Sequence, residues 1–232
     1  MFHIKNFTGF VIQSKNSGTR RCNNPNCRDR FVPFNNNGLQ KYCMKKDECR
    51  ALGTQQLIES QKKQEERNQK KRFKILGEEL KSLPQKKQEL EPEINLIARL
   101  IDKGHPCMMC GNPKMKRING CHYHSKGHND TIRFNLHNIW AGCHSCNSEK
   151  GGNIAGYDLC LISEFGHEYW EEIKFGLTRE YKLLKLTKDE INEKIKIARQ
   201  IIRELKKADK VYTNEERVEL RDKYNKRLGM YE

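Results

Sequence analysis

Two Cys-x-x-Cys pairs, Cys107/Cys110 and Cys143/Cys146, flank the segment 111–142. Four thiolates of this kind close a tetrahedral zinc site. An ordinary zinc ribbon leaves about 15–20 residues between its pairs. The longer insert here carries GCHYHSKGHNDTIRFNLHNIWAG, rich in imidazoles and amides, so it has a task beyond making a turn. By pattern it reads strand–turn–strand–helix. CHYH is β-prone, Ser125–Asp130 is a turn, Thr131–Phe134 is β-prone again, and a helix begins near Cys146. Zinc at the base would hold the hairpin against that helix. His122 on a strand and Asn147 at the helix start would then face a common cleft, where a divalent cation would meet oxygen or imidazole ligands.

A second set of thiols lies upstream. Cys22, Cys27, Cys43 and Cys49 surround Phe31, Pro33, Phe34 and an Asn35–Gly38 turn signal, and read as a zinc knuckle of treble-clef or ribbon type. From Thr54 to Arg72 the chain is almost wholly polar and made of good helix formers. Lys62, Lys63, Arg67, Lys70, Lys71 and Arg72 dominate it, giving a solvated connector helix or a surface that meets phosphates. Leu76, Leu80 and Leu83 restore helical spacing, with Pro84 ending that stretch and Pro92 opening the next helix, lined by Ile94, Ile97 and Ile101. Past the second cysteine pair, Tyr157, Leu161, Ile162 and Phe165 make an apolar face that Gly166 interrupts, and Trp170 and Ile173 resume it. Thr187–Glu190 and Thr213–Glu216 are capping boxes, and the first opens a helix with Ile191, Ile195, Ala198, Ile202 and Leu205 on its buried side.

Charge narrows the partners. Across 232 residues the net charge is +15, and the pI is about 9.4. That balance points to a polyanion, most often nucleic acid. No apolar run approaches the ~20 residues of a transmembrane helix, and the start MFHIKNFTGFVIQ lacks a signal-peptide core. A reducing cytoplasm inside a host cell is expected, with the ten cysteines as metal ligands or free thiols rather than disulfides. Small modules of this composition bury little apolar surface and depend on metal for folding.

Cys107-x-x-Cys110, His122, Asn138-Ile139 and Cys143-x-x-Cys146-Asn147-x-x-Lys150-Gly151 resemble the HNH, or ββα-metal, nucleases. PCMMCG, GCHY, IRFNLHNI, the C-x-x-CN element ending in GGN, and LISEFGHE resemble more closely the phage NinG (Rap) recombination endonucleases, over most of residues 20–175. The resemblance implies His122 as general base, Asn138 as the residue that orients the loop and the base, and Asn147 as a ligand of a catalytic magnesium or manganese ion. It leaves Lys150 or Arg133 to contact phosphate. Nucleases of this plan commonly carry Asp or His before the base. Cys121 stands there in this chain, with Asn119 two positions earlier, so Asn119, Cys121 and His124 all remain open as a second cation ligand.

The expected fold is α+β, made of small zinc-stabilised modules joined and followed by long helices. Residues 1–20 form a tail or strand, 21–52 the zinc knuckle, 53–104 a basic helical linker, 105–175 an HNH-like nuclease core, and 176–232 a helical C-terminal region. The expected cofactors are two structural zinc ions and one catalytic magnesium or manganese ion. The expected function is cleavage of branched DNA, Holliday junctions and D-loops, in phage recombination. Host recombination proteins are further candidate partners, and a homodimer stays open. A zinc-dependent DNA-binding protein without catalysis, such as a phage regulator or scaffold, is the alternative. An RNA-directed nuclease is a third.

Overall fold

The structure, a computed structural model, describes residues 18–33, 40–181 and 184–231. The residues expected as a tail lie almost wholly outside these, and the Asn35–Gly38 turn lies entirely outside. Among the described residues helices dominate, with two small two-stranded sheets. The chain divides into two compact units after Leu80.

In the first unit, β1 (Arg20–Arg21) pairs antiparallel with β2 (Arg30–Phe31). The turn between them is tied by Asn24, whose Oδ1 accepts from Asn26 N at 3.0 Å and whose Nδ2 donates to Cys49 Sγ at 3.3 Å. The interior is small: Cys22, Phe31, Cys43 and Cys49, with Cys27 and Tyr42 against them. Helix α1 (Asp47–Leu80) follows and buries only Cys49 and Gly53. Beyond its first turns it has no apolar core, so its helicity rests on propensity and on i,i+4 pairs such as Gln55–Glu59 and Gln64–Asn68.

The second unit begins earlier than the expected boundary at residue 105. Helix α2 (Leu83–Ile101) is capped by Ser82, with Gln85 completing a capping box. Pro84 therefore sits in the first turn of this helix, and Pro92, expected at its start, lies inside it. Proline has no N–H, so the bond from position 92 to the Gln88 carbonyl cannot form. Leu90, Ile94, Ile97, Ala98 and Ile101 are fully buried with Ile191, Ile195, Ala198, Ile202 and Leu205 of α6 (Lys188–Ala208). Each buried leucine or isoleucine among them contributes about 1.5–3 kcal/mol on burial. So α2 is part of the core, not of a linker.

Strand β3 (Ile118–His122) pairs antiparallel with β4 (Ile139–Cys143), from Ile118↔Cys143 to His122↔Ile139. The second strand thus lies later than Thr131–Phe134. Those residues form a 3-10 turn (Asp130–Ile132) and an irregular link, because Ile132 and Phe134 bury themselves while Arg133 turns back to pair with Asp130 and Glu91. A π-helical turn (Ser145–Glu149) precedes α3 (Ile154–Phe165). Gly166, at φ 90°, breaks the chain into α4 (His167–Glu171), which a second π turn joins to α5 (Leu177–Glu180). Tyr157, Leu161, Ile173 and Leu177 close a second core over the hairpin around Trp140 and Met109. Both capping boxes are present, and Thr213 opens α7 (Asn214–Leu228). No helix among the described residues is long and apolar enough to cross a membrane.

One ion cluster joins these layers. Asp102 ends α2 and is buried, and so are Arg217 and Arg221 of α7. Arg217 Nε donates to Asp102 Oδ1 at 3.0 Å, and Arg221 donates to both Asp102 oxygens at 2.8 Å. Asp102 Oδ2 also accepts from Ala141 N of β4 at 2.7 Å. The Arg221 guanidinium lies 3.5 Å from the centre of the Trp140 ring. Removing the carboxylate leaves two guanidinium groups buried without an anion. Asp102→Asn should lower the unfolding free energy by about 3–5 kcal/mol, read from urea titration of circular dichroism. A loss below about 1 kcal/mol would show that the cluster is not essential to the packing.

Candidate functional site

The thiols converge in two places. The Sγ atoms of Cys107, Cys110, Cys143 and Cys146 lie within 4.8 Å of one another, and so do those of Cys22, Cys27, Cys43 and Cys49. A tetrahedral zinc with bonds near 2.3 Å separates its sulfurs by about 3.8 Å. Cys110–Cys143 at 3.9 Å, Cys22–Cys49 at 3.7 Å and Cys27–Cys43 at 3.6 Å match that spacing. Backbone N–H groups already point at the sulfurs, from Cys143 and Met109 to Cys107, and from Cys43 to Cys22. Both sets fit a structural zinc ion.

With a zinc ion bound, the first set would staple the loop before β3 to the end of β4 and so fix the hairpin, which lies beside an open cleft of about 1300 Å³. Strand β3 lines the cleft with Ile118, Asn119, Gly120 and His122, and α2 lines it with Gln88, Glu91, Asn95 and Arg99. A Cβ on Gly120 would come within 2.8 Å of Asn95 Cβ, so glycine lets α2 approach the strand. Asn147, Gly151 and Ile154 also line the cleft, as do Lys174 and Phe175.

His122 is half-buried, and its Nε2 lies 2.8 Å from the carbonyl oxygen of Arg133. A carbonyl only accepts, so Nε2 carries the proton and Nδ1 of the neutral ring is the acceptor. Burial pushes the pKa below 6.5, opposed by the Arg133 carbonyl and the Glu91 charge. The ring is therefore mostly neutral at pH 7.

Asn138 is fully buried. Its Oδ1 accepts from His124 N at 2.7 Å, and its Nδ2 donates to His124 O at 3.1 Å and Ile132 O at 3.2 Å. It ties the chain just after His122 to the chain just before Arg133. The loop that presents the imidazole is thus closed on both sides by one side chain.

Asn119 and Asn147 both border the cleft, and Asn119 also meets His144 at 3.4 Å. Cys121 does not reach the cleft. It alternates to the other face of β3 and is buried with Met109 and Tyr157, where desolvation raises its pKa to about 12. His124 borders the cleft, with Nε2 donating to Ile173 O at 2.8 Å. Arg133 is not a free phosphate contact. Its guanidinium pairs with Glu91 at 2.6 Å and Asp130 at 2.9 Å and is largely buried, so its part is to brace the loop. Lys150 is exposed at the end of the π turn, outside the cleft lining. Lys62, Lys63, Arg67, Lys70, Lys71 and Arg72 are all exposed along α1, in the other unit.

Three cations of the lining, Arg99, Lys126 and Lys174, escaped the sequence reading. Arg99 was legible, since Gln88, Glu91, Asn95 and Arg99 recur at helical spacing opposite the isoleucine face of α2. Lys174 had no such signal, because its position depends on the break at Gly166.

Zinc-replete protein purified under reducing conditions should hold two zinc ions per chain, measured by plasma emission. Cys22→Ser with Cys49→Ser should lower that to about one and leave the unfolding of the second unit unchanged. Two zincs in the double variant would assign the second ion elsewhere.

A family model described as "Bacteriophage Lambda NinG protein" matches residues 14–209. Among relatives, Protein ninG of Escherichia phage lambda is 29% identical over 194 residues, covering 76% of this chain and 92% of the relative. Protein ninG of Salmonella phage P22 is 28% identical over 172 residues, covering 68% of this chain and 81% of the relative. No solved structure matches the chain significantly. The family match runs through both cysteine clusters, the hairpin with His122 and Asn138, and helix α6, and the chain belongs to the NinG family.

Proposed function

We propose that this protein is a metal-dependent DNA endonuclease built on the HNH, or ββα-metal, plan, acting inside the host cell on branched recombination intermediates such as Holliday junctions and D-loops. The observation that carries the reading is the His122 imidazole at the cleft, its Nε2–H held by the Arg133 carbonyl and its Nδ1 left to accept a proton. The resemblance to recombination endonucleases supplies the branched substrate. The net charge of +15 supports a polyanion partner.

Hydrolysis of a phosphodiester needs a base for the attacking water and stabilisation of charge on phosphorus. In this reading His122 takes the proton at Nδ1. The Arg133 carbonyl goes on accepting from Nε2–H and so steadies the imidazolium that forms, and Glu91 favours the same charge. Asn138 keeps that carbonyl and His122 in register. Arg99 faces the cleft, where the phosphate would lie; Lys126 and Lys174 also line it but are already paired with Glu91 at 2.7 Å and Asp158 at 3.1 Å, so a phosphate would have to share them with those carboxylates.

Cation binding falls to Asn147 and Asn119. Neutral amide oxygens are weak partners for a hard cation. They fit an ion that keeps most of its waters and shares its charge with the substrate phosphate, as magnesium commonly does. When bound there, such an ion supplies Lewis-acid stabilisation of the phosphorane oxygens. The basic face of α1 contacts phosphates without reading bases, so recognition follows DNA shape. Symmetric cutting of a junction calls for two copies of the chain.

His122→Ala should keep two zincs and the junction affinity of wild type while cutting falls by about 10²–10⁴-fold. Equal cutting by variant and wild type rules out His122 as base. Tight binding with no cutting by either protein leaves the non-catalytic DNA-binding reading in place, and preference for structured RNA in competition leaves the RNA reading. The pH profile is a separate check. Because burial lowers the His122 pKa, its neutral form persists below pH 6.5, and the acid limb of the cleavage rate should have its midpoint under 6.5. A midpoint well above 6.5 contradicts the assignment.

A further inference from the structure

Asn138 positions the His122 loop only as firmly as Asn138 itself is held. It ends a 3-10 turn (Leu136–Asn138), and the groups around that turn are gripped from far along the chain. Asn225 Oδ1 accepts from Leu136 N at 3.0 Å, and Asn225 Nδ2 donates to Asn135 Oδ1 at 3.0 Å. That Asn135 oxygen caps the turn by accepting from His137 N at 2.9 Å. Arg221 Nε donates to Leu136 O at 3.1 Å, and Asp222 meets His137 Nε2 at 3.0 Å. Tyr231 Oη donates to Thr131 O at 2.7 Å and accepts from Phe134 N at 3.3 Å.

Arg217, Arg221 and Asn225 recur every fourth residue, and all are buried. A helix that merely docked would fill that stripe with apolar groups, since buried polar ones are costly unless each is matched. Here the matches are directional: Arg217 and Arg221 both hold Asp102, while both Asn225 bonds and the Arg221 bonds to Leu136 O and Ile139 O fall on the 135–139 segment. We infer that α7 and Tyr231 are a positioning clamp for the catalytic loop, acting through Asn138. The catalytic part of this inference rests on the nuclease reading. The clamp lies beyond the family-matched span, which ends at residue 209.

Two variants test it. Asn225→Ala removes the grip on Asn135 and Leu136. Tyr231→Phe removes only a hydroxyl and keeps the ring, so it folds even if the first variant does not. Single-turnover junction cleavage should fall about tenfold or more in Asn225→Ala and several-fold in Tyr231→Phe, with junction affinity within about twofold of wild type. The His124 amide, which donates to Asn138, should exchange faster with solvent in both, while the Ile195 amide of α6 is unchanged. A helix with only a packing role would lower thermal stability and leave His124 exchange and cleavage by folded protein untouched, and that result overturns the inference. If wild-type protein cuts no DNA, the nuclease reading fails, and His124 exchange alone decides whether the clamp exists.

Discussion

Four sulfurs from two distant stretches meet within 4.8 Å at the base of the β3–β4 hairpin, and the candidate site depends on that junction. The strands are only five residues each and form an isolated pair, which is marginal by itself in water. A structural zinc supplies on the order of 10–16 kcal/mol of apparent folding free energy. Bound at Cys143, it would anchor the strand end that faces Ile118. The register then runs without a slip to His122 opposite Ile139. A shift by one residue would turn His122 into the core and Cys121 toward the cleft.

The remaining constraints act on the loop rather than on the strands. Asn138 closes it, Arg133 braces it against α2 through Glu91, and the carbonyl of Arg133 selects the imidazole tautomer. Each of these is a polar group taken out of water and held by a partner of fixed direction, though Arg133 Nε is itself buried with no hydrogen-bond partner. Such groups add little net stability, but they select one geometry out of many. The apolar mass that keeps them dry comes from two cores on either side of the hairpin, one from α2, α6 and α7 and one from α3 to α5.

The features that sequence made legible are those set by local pattern. Both cysteine sets meet as their spacing implied, the apolar stripe of α6 is buried, and Thr187 and Thr213 cap their helices. His122 and Asn147 do share a cleft. The differences arise where tertiary partners decide. Thr131–Phe134 has strand-forming residues, yet the partner of β3 is IWAGC, because the ion pairs of Arg133 and the bonds of Asn138 hold the earlier segment in turns. Net charge is the ground for expecting a polyanion, but it could not tell that Arg133 is already neutralised. In the last helix, the sequence offers a capping box at Thr213–Glu216 and no signal for Arg217, Arg221 and Asn225, and only the fold reveals Asp102 and the 135–139 turn as their partners.

In the proposed function a cation-assisted imidazole breaks branched DNA in this cleft. The most direct measurement offers zinc-replete protein a four-way junction beside a linear duplex of the same sequence, with and without magnesium. The junction should be cut near its branch point, with cutting dependent on the divalent cation and slower on the duplex. An intact junction in both magnesium and manganese would contradict the proposed function, as would cutting that continues undiminished after the divalent cation is removed.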